Sequence, residues 1–143
     1  MTDPAVRLSL PARPENVAVV RHALGGLANV LGVDGRALDD MKLAVTEACT
    51  NVVIHAYGEG DGPLDVDMEP ADDRLTLVVR DHGGGIRPRL DPASTSALGL
   101  GLPLMASLAD DFEIHGAPGG GTEVRMTFVI GGAEEPPPEP GDS

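Results

Sequence analysis

The stretch from Leu43 to Gly58, LAVTEACTNVVIHAYG, constrains the fold of this chain more than any other part. Apolar residues recur in and before it at intervals of three and four, which predicts a helix from about Arg36 to Ala56 with one apolar face. Glu47 and Asn51 are four residues apart, so they project together from an adjoining face. A carboxylate and an amide in this register can act as a proton acceptor and as a metal or water ligand. The apolar stripe consists of Leu38, Met41, Val45, Ala48 and Val52.

A second amphipathic helix precedes this one, and a short strand precedes both. Val6 to Leu10 alternates apolar and polar residues until a proline stops it, which is typical of a strand at a sheet edge. Pro14, followed by an acidic residue, is typical of a helix start, and the helical spacing continues to Leu31. Gly25-Gly26 indicates either close helix packing or an early end of this helix.

The second half of the chain alternates like a sheet and is interrupted by a loop. Two alternating runs on either side of Asp72-Asp73 predict a hairpin. Ile86 to Leu98 contains two prolines and no sustained period, so we expect a loop or lid there. The remaining predicted elements are a short helix marked by Leu102, Met105 and Leu108, a strand at Phe112 and Ile114, and a last strand from Val124 to Ile130.

This order of elements predicts an α/β fold, a two-layer sandwich in which helices cover one face of a mixed, mostly antiparallel sheet. The other face would be exposed to solvent or engaged by a partner. With 143 residues and 41% apolar content the chain can close one core, so we expect a single domain over residues 1–131. Residues 132–143 lose all apolar periodicity and are predicted to form a disordered, acidic, proline-rich tail.

The charge of the chain restricts its ligands. There are 23 acidic against 10 basic residues, a formal charge of -13, which argues against direct binding of nucleic acid. An anionic ligand such as a nucleotide would have to be held by backbone amides, a helix N-terminus or a divalent cation. The single Cys49 excludes an internal disulfide, and no apolar run reaches the length of a membrane span. We therefore expect a cytoplasmic protein without a membrane contact.

Two glycine-rich segments add what the Glu47 and Asn51 pair lacks. Asp81 follows a predicted strand and precedes three glycines, and Gly99 and Gly101 precede a predicted helix. Each signal is weak alone, since Asp-x-Gly-x-Gly is more often a turn and Gly-x-Gly is common. Their conjunction, in this order and on these elements, is far more specific.

These segments together resemble the GHKL superfamily of ATP-binding domains and, within it, the anti-sigma factor serine/threonine-protein kinases of bacteria. The resemblance spans about Val6 to Ile130 and implies a Bergerat-type ATP-binding fold. Glu47 to Asn51 with His55 to Tyr57 resembles the N-box, Asp81 to Ile86 the first glycine box, Gly99 to Leu104 the second, and Gly120 to Thr122 the last adenine-side motif.

The resemblance implies a role for each matched residue. Asp81 would accept a hydrogen bond from the exocyclic amine of adenine, assisted by Thr122, and Asn51 would ligate Mg²⁺, which prefers oxygen ligands. Glu47 would orient or deprotonate the attacking hydroxyl, so it is the expected catalytic residue. The expected nucleotide contacts are Asn51, Asp81, Gly83, Gly85, Ile86, Gly99, Leu100, Gly101, Leu102 and Thr122.

The implied activity is an ATP-dependent and magnesium-dependent serine-protein kinase. By resemblance it would phosphorylate an anti-anti-sigma partner of the STAS type on serine or threonine, sequester a sigma factor and form a homodimer. Arg87 or Arg89 could reach the terminal phosphate, but solvated loop charges are an equal alternative. His55 is expected to make a structural hydrogen bond, and His82 is expected to be a spacer.

Two other functions fit the same residues. A nucleotide-responsive binding module could sequester a regulator without catalysis, its nucleotide ordering the loop from Ile86 to Leu98. The presence of Glu47 argues against this module, because a pure binder needs Asp81 and the glycines but no base. A structural domain with degenerate motifs is the remaining alternative, and it would bind no nucleotide.

Overall fold

Within residues 4–58, 60–83, 101–116 and 120–130, which a computed structural model describes, the chain forms five strands and three helices. The strands are β1 (Val6–Pro11), β2 (Pro63–Ala71), β3 (Arg74–Asp81), β4 (Asp111–Gly116) and β5 (Thr122–Val129). The helices are α1 (Pro14–Leu31), α2 (Gly35–Asn51), which one π turn (Val52–Ala56) extends, and α3 (Gly101–Leu108).

The strands make one sheet in the order β1-β2-β3-β5-β4. All four pairings in the described residues are antiparallel. The predicted α/β sandwich with a mostly antiparallel sheet is therefore confirmed, although a mixed sheet was expected and the described part contains no parallel pair. β1 lies at one edge, as its proline-terminated pattern predicted.

One face of the sheet carries the core. Alternate residues of β2, β3 and β5 are buried there, because successive side chains of a strand point to opposite faces. The helices supply the second layer, with buried residues from both α1 and α2 and with Met105 from α3 in the same cluster. The buried strand residues of this face include Leu64, Val66, Met68, Leu75, Leu77, Val79, Val124, Met126 and Phe128.

The opposite face of the sheet is polar. Asp67 is only 2% exposed there, and it lies between Arg7, at 3.2 Å, and Arg80, at 3.1 Å. Arg80 also pairs with Glu123 at 3.0 Å. A buried carboxylate with two cationic partners is satisfied, so Asp67 leaves no unpaired charge on this face.

The two long helices begin and end at residues suited to those positions. α1 continues through Gly25-Gly26 to Leu31, which excludes the early helix end that was one of the two alternatives for these glycines. A Cβ at Gly25 would lie 3.6 Å from the Lys42 side chain of α2, which is ordinary contact distance. Gly32 ends the helix with a φ of 74°, a left-handed conformation that favours glycine. Asp34 then caps α2 by accepting the Ala37 N–H at 2.9 Å.

The predicted helix over residues 36–56 is confirmed in extent, but its last turn differs in type. Residues Val52–Ala56 form a π turn, which the spacing of apolar residues does not reveal. The predicted stripe is buried at Met41, Val45, Ala48 and Val52. Burial raises the pKa of the Cys49 thiol to about 12, as expected for a small packed hydrophobe rather than a reactive thiolate.

Several predictions concern residues that the structure does not describe. The loop from Ile86 to Leu98, with its two arginines, and the acidic tail lie outside the described residues, so the single domain over residues 1–131 stays a prediction. The short helix predicted at Leu102 is confirmed as α3. In the parts of the chain that are described, no helix has the length and apolar character needed to cross a membrane.

Candidate functional site

A buried carboxylate ends the central strand β3. Asp81 occupies an inward position of β3, two residues beyond Val79, and is 2% exposed. Its Oδ1 accepts the backbone N–H of Gly83 at 3.1 Å. Among the described residues, its Oδ2 is the buried side-chain polar atom without a hydrogen-bond partner. A buried acceptor without a donor is unfavourable, so this atom is suited to a donor on a ligand.

Burial raises the pKa of Asp81 above its ordinary value. The backbone N–H groups of Gly83 and Thr122 and the charge of His82 act in the opposite direction, but burial outweighs them. The fold therefore holds this carboxylate in an environment that disfavours its charge. Carboxyl groups perturbed in this way cluster at functional sites.

Thr122 lies directly opposite Asp81 in the pairing of β3 with β5, and it is buried as well. The two glycines before it make this approach possible. Gly120 and Gly121 have φ values of 107° and 99°, and a Cβ at Gly121 would lie 2.3 Å from the carbonyl oxygen of Asp81. The structure thus brings together Asp81 and Thr122, which are 41 residues apart in the printed sequence.

Gly83 packs against the end of the π turn. A Cβ at Gly83 would lie 2.2 Å from the carbonyl oxygen of Ala56 and 2.7 Å from Cδ1 of Tyr57. Internal packing is therefore sufficient to require a glycine at this position. The expected contact of Gly83 with the nucleotide stays a prediction.

Tyr57 is a site residue to which the sequence analysis assigned no role, although it lies in the segment that resembles the N-box. Its hydroxyl accepts the backbone N–H of His82 at 2.8 Å and donates to the carbonyl oxygen of Pro63. It thereby joins the helix end to the segments before β2 and after β3. Two signals were available: its place in the segment that resembles the N-box, and its being the only tyrosine in a chain with 2% aromatic residues.

His82, which was expected to be a spacer, makes two contacts beside Asp81. Besides its backbone bond to Tyr57, its Nε2 lies 2.7 Å from Oδ2 of Asp65. The Ser9 hydroxyl donates to the other oxygen of Asp65, also at 2.7 Å. Burial acts to raise the pKa of Asp65, but the hydrogen bonds from His82 and Ser9 and the charges of His82 and Arg80 outweigh it, so the pKa is lowered.

Glu47 and Asn51 lie on α2, as predicted, and Asn51 is 8% exposed whereas Glu47 is half-buried. Asn51 directly precedes the π turn whose last residue, Ala56, contacts Gly83. α3 begins at Gly101 in the second glycine box and packs against α2. The helix that carries both polar residues thus leads to Gly83 of the first glycine box and packs against α3, which begins in the second. Gly85, Ile86, Gly99 and Leu100 lie outside the described residues.

The described residues could hold a magnesium ion only if water and substrate phosphates supply most of its ligands. In residues 4–58, 60–83, 101–116 and 120–130, no group of three His, Cys, Asp or Glu side chains could hold a metal ion. Asn51 offers one amide oxygen, a hard ligand of the kind Mg²⁺ accepts. Because Mg²⁺ keeps several waters and binds substrate phosphates, one protein ligand is compatible with such a site.

We expect the Tyr57 phenol to ionise above its ordinary pKa of 10.0. Burial is the main cause, and the nearby charges of Asp81 and Asp65 also raise this pKa, whereas the hydrogen bond from His82 lowers it. With one Tyr and no Trp, tyrosinate absorbance during a pH titration measures this residue alone. Asp81→Asn should lower the Tyr57 pKa because it removes a negative charge that opposes the phenolate. An unchanged pKa in this variant would contradict the proximity of the two side chains.

Comparisons with known proteins agree with this geometry. Residues 10–128 match the family model described as a histidine kinase-like ATPase domain. The chain is 37% identical to a serine-protein kinase RsbW of Bacillus pumilus over 141 residues, covering 87% of this chain and 85% of that protein. It is 36% identical to an RsbW of Bacillus cereus strain Q1 over 121 residues, covering 76% of each.

Two solved structures share the fold. The first contains the RsbU and RsbW domains of a Mycobacterium tuberculosis protein, with a TM-score of 0.67 at 23% identity, covering 89% of this chain and 33% of that one. The second is the SiaB-SiaC complex of Pseudomonas aeruginosa, with a TM-score of 0.61 at 16% identity, covering 90% and 92%. At these identities the likeness concerns the fold alone.

Proposed function

Because the chain belongs to the histidine kinase-like ATPase family and, within it, to the serine-protein kinases named RsbW, we propose that it transfers the terminal phosphate of ATP to a protein hydroxyl. The observation that supports ATP as the nucleotide is the buried Oδ2 of Asp81, which has no hydrogen-bond donor among the described residues. The exocyclic amine of adenine is a donor of the required kind. Guanine has a carbonyl oxygen at the corresponding position, and it would face this carboxylate unfavourably.

Each polar residue on α2 has a separate task in this proposal. Asn51 holds the metal ion, and Glu47 orients the acceptor hydroxyl and takes its proton. When bound, Mg²⁺ would neutralise the negative charge of the phosphates. A chain with a formal charge of -13 has little positive charge of its own for this purpose. The backbone amides of the second glycine box, at Gly99 and Gly101, receive the phosphates in this proposal.

The proposed acceptor is a serine or threonine of an anti-anti-sigma protein of the STAS type. The unphosphorylated partner would compete with a sigma factor for this protein, and a homodimer would be the binding unit. The family membership and the RsbW names of the relatives support this assignment. We also propose a cytoplasmic location, where both transcription regulators and ATP are found.

The test is a transfer reaction with purified components. The protein, ATP and Mg²⁺ are incubated with a candidate anti-anti-sigma protein of the STAS type, and phosphoserine or phosphothreonine is mapped by mass spectrometry. We expect one phosphorylated hydroxyl per partner chain and none without Mg²⁺. ATP-dependent complex formation that persists without transfer, and that Glu47→Ala leaves unchanged, would contradict the kinase and favour a non-catalytic binding module.

A further inference from the structure

The ring of Tyr57 lies in a slot between two glycines. A Cβ at Gly62 would lie 2.2 Å from Cε1 of this ring, and a Cβ at Gly83 would lie 2.7 Å from its Cδ1. Both distances are far below van der Waals contact, so no other residue type fits beside the ring without displacing it. Tyr57 is therefore packed between the residue before β2 and the residues that follow β3.

The hydroxyl of Tyr57 is fully used at the same place. A phenol has one proton to donate, which goes to the carbonyl oxygen of Pro63, and it accepts the N–H of His82 at 2.8 Å. The ladder of β3 ends at Asp81, which pairs with Leu64 on one side and with Thr122 on the other. His82 is the first residue beyond this ladder, and its N–H is held by Tyr57 instead of by a strand.

The hydrogen bond between the Tyr57 hydroxyl and the His82 N–H lies one residue before the N–H group that binds the Asp81 carboxylate. The next backbone N–H, that of Gly83, binds Oδ1 of Asp81 at 3.1 Å. Because adjacent peptide units share a short and stiff chain, fixing the His82 N–H also restricts the direction of the Gly83 N–H. The direction of that N–H in turn restricts the Asp81 carboxylate, whose other oxygen is the one without a donor.

The π turn contributes to the position of the ring. It buries Val52 and Ala56 and ends directly before Tyr57, which has left the helical conformation with a φ of -117°. π turns are rare, and they occur frequently at functional sites because they change the direction of the residues that follow them. Here the residue that follows the π turn is Tyr57, whose hydroxyl binds the His82 N–H just beyond the end of β3.

We propose that Tyr57 is a positioning residue, which holds the segment from Asp81 to Gly83 so that Oδ2 of Asp81 meets the adenine amine. The inference rests on the proposed function, because it concerns the binding of ATP at that site. It assigns Tyr57 no contact with the reacting phosphate. Its loss therefore affects nucleotide binding and leaves phosphate transfer, once ATP is bound, unchanged.

The first test is Tyr57→Phe, which keeps the ring between the glycines and removes the hydroxyl. We expect the Kd for ATP-Mg to rise about 5- to 10-fold, as loss of one ordinary net hydrogen bond produces. The KM for ATP should rise by a similar factor, with kcat for partner phosphorylation unchanged. Amide hydrogen exchange at His82 should become faster in this variant even without nucleotide. A merely structural role would instead lower the stability and leave the affinity of the folded protein unchanged.

The second test keeps Tyr57 and displaces its ring. Gly62→Ala would place a methyl group against the ring, so we expect weaker ATP binding together with a changed tyrosine absorbance spectrum. Gly26→Ala is the matched control, because a Cβ at Gly26 meets no atom within 4 Å. It should leave both the ATP affinity and the spectrum at their original values.

The results that would overturn the inference are distinguishable from one another. If the original protein binds ATP and Tyr57→Phe binds it equally well, Tyr57 does not position the site, whereas the proposed function stands. If the original protein binds no ATP, the proposed function fails and the inference fails with it. Should Tyr57→Phe not fold, Gly62→Ala decides the question, and unchanged affinity in that variant overturns the inference.

Discussion

Asp81→Asn is expected to lower the affinity for ATP-Mg by about 100-fold or more, as measured by calorimetric titration. The carboxylate oxygen without a partner becomes an amide N–H₂ group in one orientation of the asparagine side chain, and that group would face the donor amine of adenine. The other orientation would instead turn the amide N–H₂ toward the N–H of Gly83. Either way two donors meet, so the variant cannot satisfy both contacts.

The same substitution should not destabilise the protein without nucleotide. Burial raises the pKa of Asp81 in the fold above its ordinary value. A carboxyl with a raised folded pKa contributes stability below its unfolded pKa, and this contribution is lost as the pH rises through the folded pKa. At neutral pH the charge of Asp81 therefore opposes folding. We expect an unchanged or higher melting temperature for Asp81→Asn at neutral pH.

Asp72→Asn is the matched control for this experiment. Asp72 lies in the exposed turn between β2 and β3 and has a φ of 55°, a conformation that asparagine tolerates well. It should leave both ATP affinity and stability unchanged. Equal ATP affinity in Asp81→Asn and Asp72→Asn would contradict the assignment of Asp81 to adenine.

Glu47→Gln is expected to lower the rate of phosphate transfer by about 10²- to 10⁴-fold, the range for loss of a general base. Glutamine keeps the size of the side chain but cannot accept the proton of the acceptor hydroxyl. Because Glu47 is assigned no contact with adenine or magnesium, the Kd for ATP should stay within about twofold, a difference of less than 0.5 kcal/mol. Single-turnover transfer and equilibrium binding measure the two quantities separately.

A second glutamate provides the control for this variant. Glu15 lies in the exposed first turn of α1, and Glu15→Gln should change neither transfer nor binding. A Glu47→Gln protein that transfers phosphate at the original rate would exclude Glu47 as the base. Loss of ATP binding together with transfer would instead place Glu47 in the nucleotide site.

The sequence predicted the elements of this fold well, because its apolar periods are clear. The strands with alternating burial, such as β5 from Thr122 to Val129, follow from a period of two residues. The helix that carries Glu47 and Asn51 follows from a stripe at intervals of three and four residues. Family resemblance predicted that Thr122 assists Asp81 at the adenine, but the direct pairing of the two residues was not predicted, since no local pattern sets the neighbours β3 and β5.

The supporting contacts of the site could not be predicted in the same way. The hydrogen bonds of Tyr57 to His82 and Pro63 connect segments that become neighbours only after the sheet has formed. The reason for glycine at position 83 is likewise tertiary, because the nearest obstacles are Ala56 and Tyr57. Periodicity also gives no sign of the π turn, in which the same apolar residues remain buried.

The most direct test of the account compares the binding of ATP and inosine triphosphate to the unmodified protein with Mg²⁺ present. The two nucleotides differ at the 6-position of the purine, where ATP carries the amine donor and inosine triphosphate a carbonyl oxygen, and at N1, which is an acceptor in ATP and an N–H donor in inosine triphosphate. If Oδ2 of Asp81 accepts from adenine, ATP should bind about 100-fold more tightly or better. Equal affinities for the two nucleotides would contradict the central claim that this buried carboxylate selects adenine.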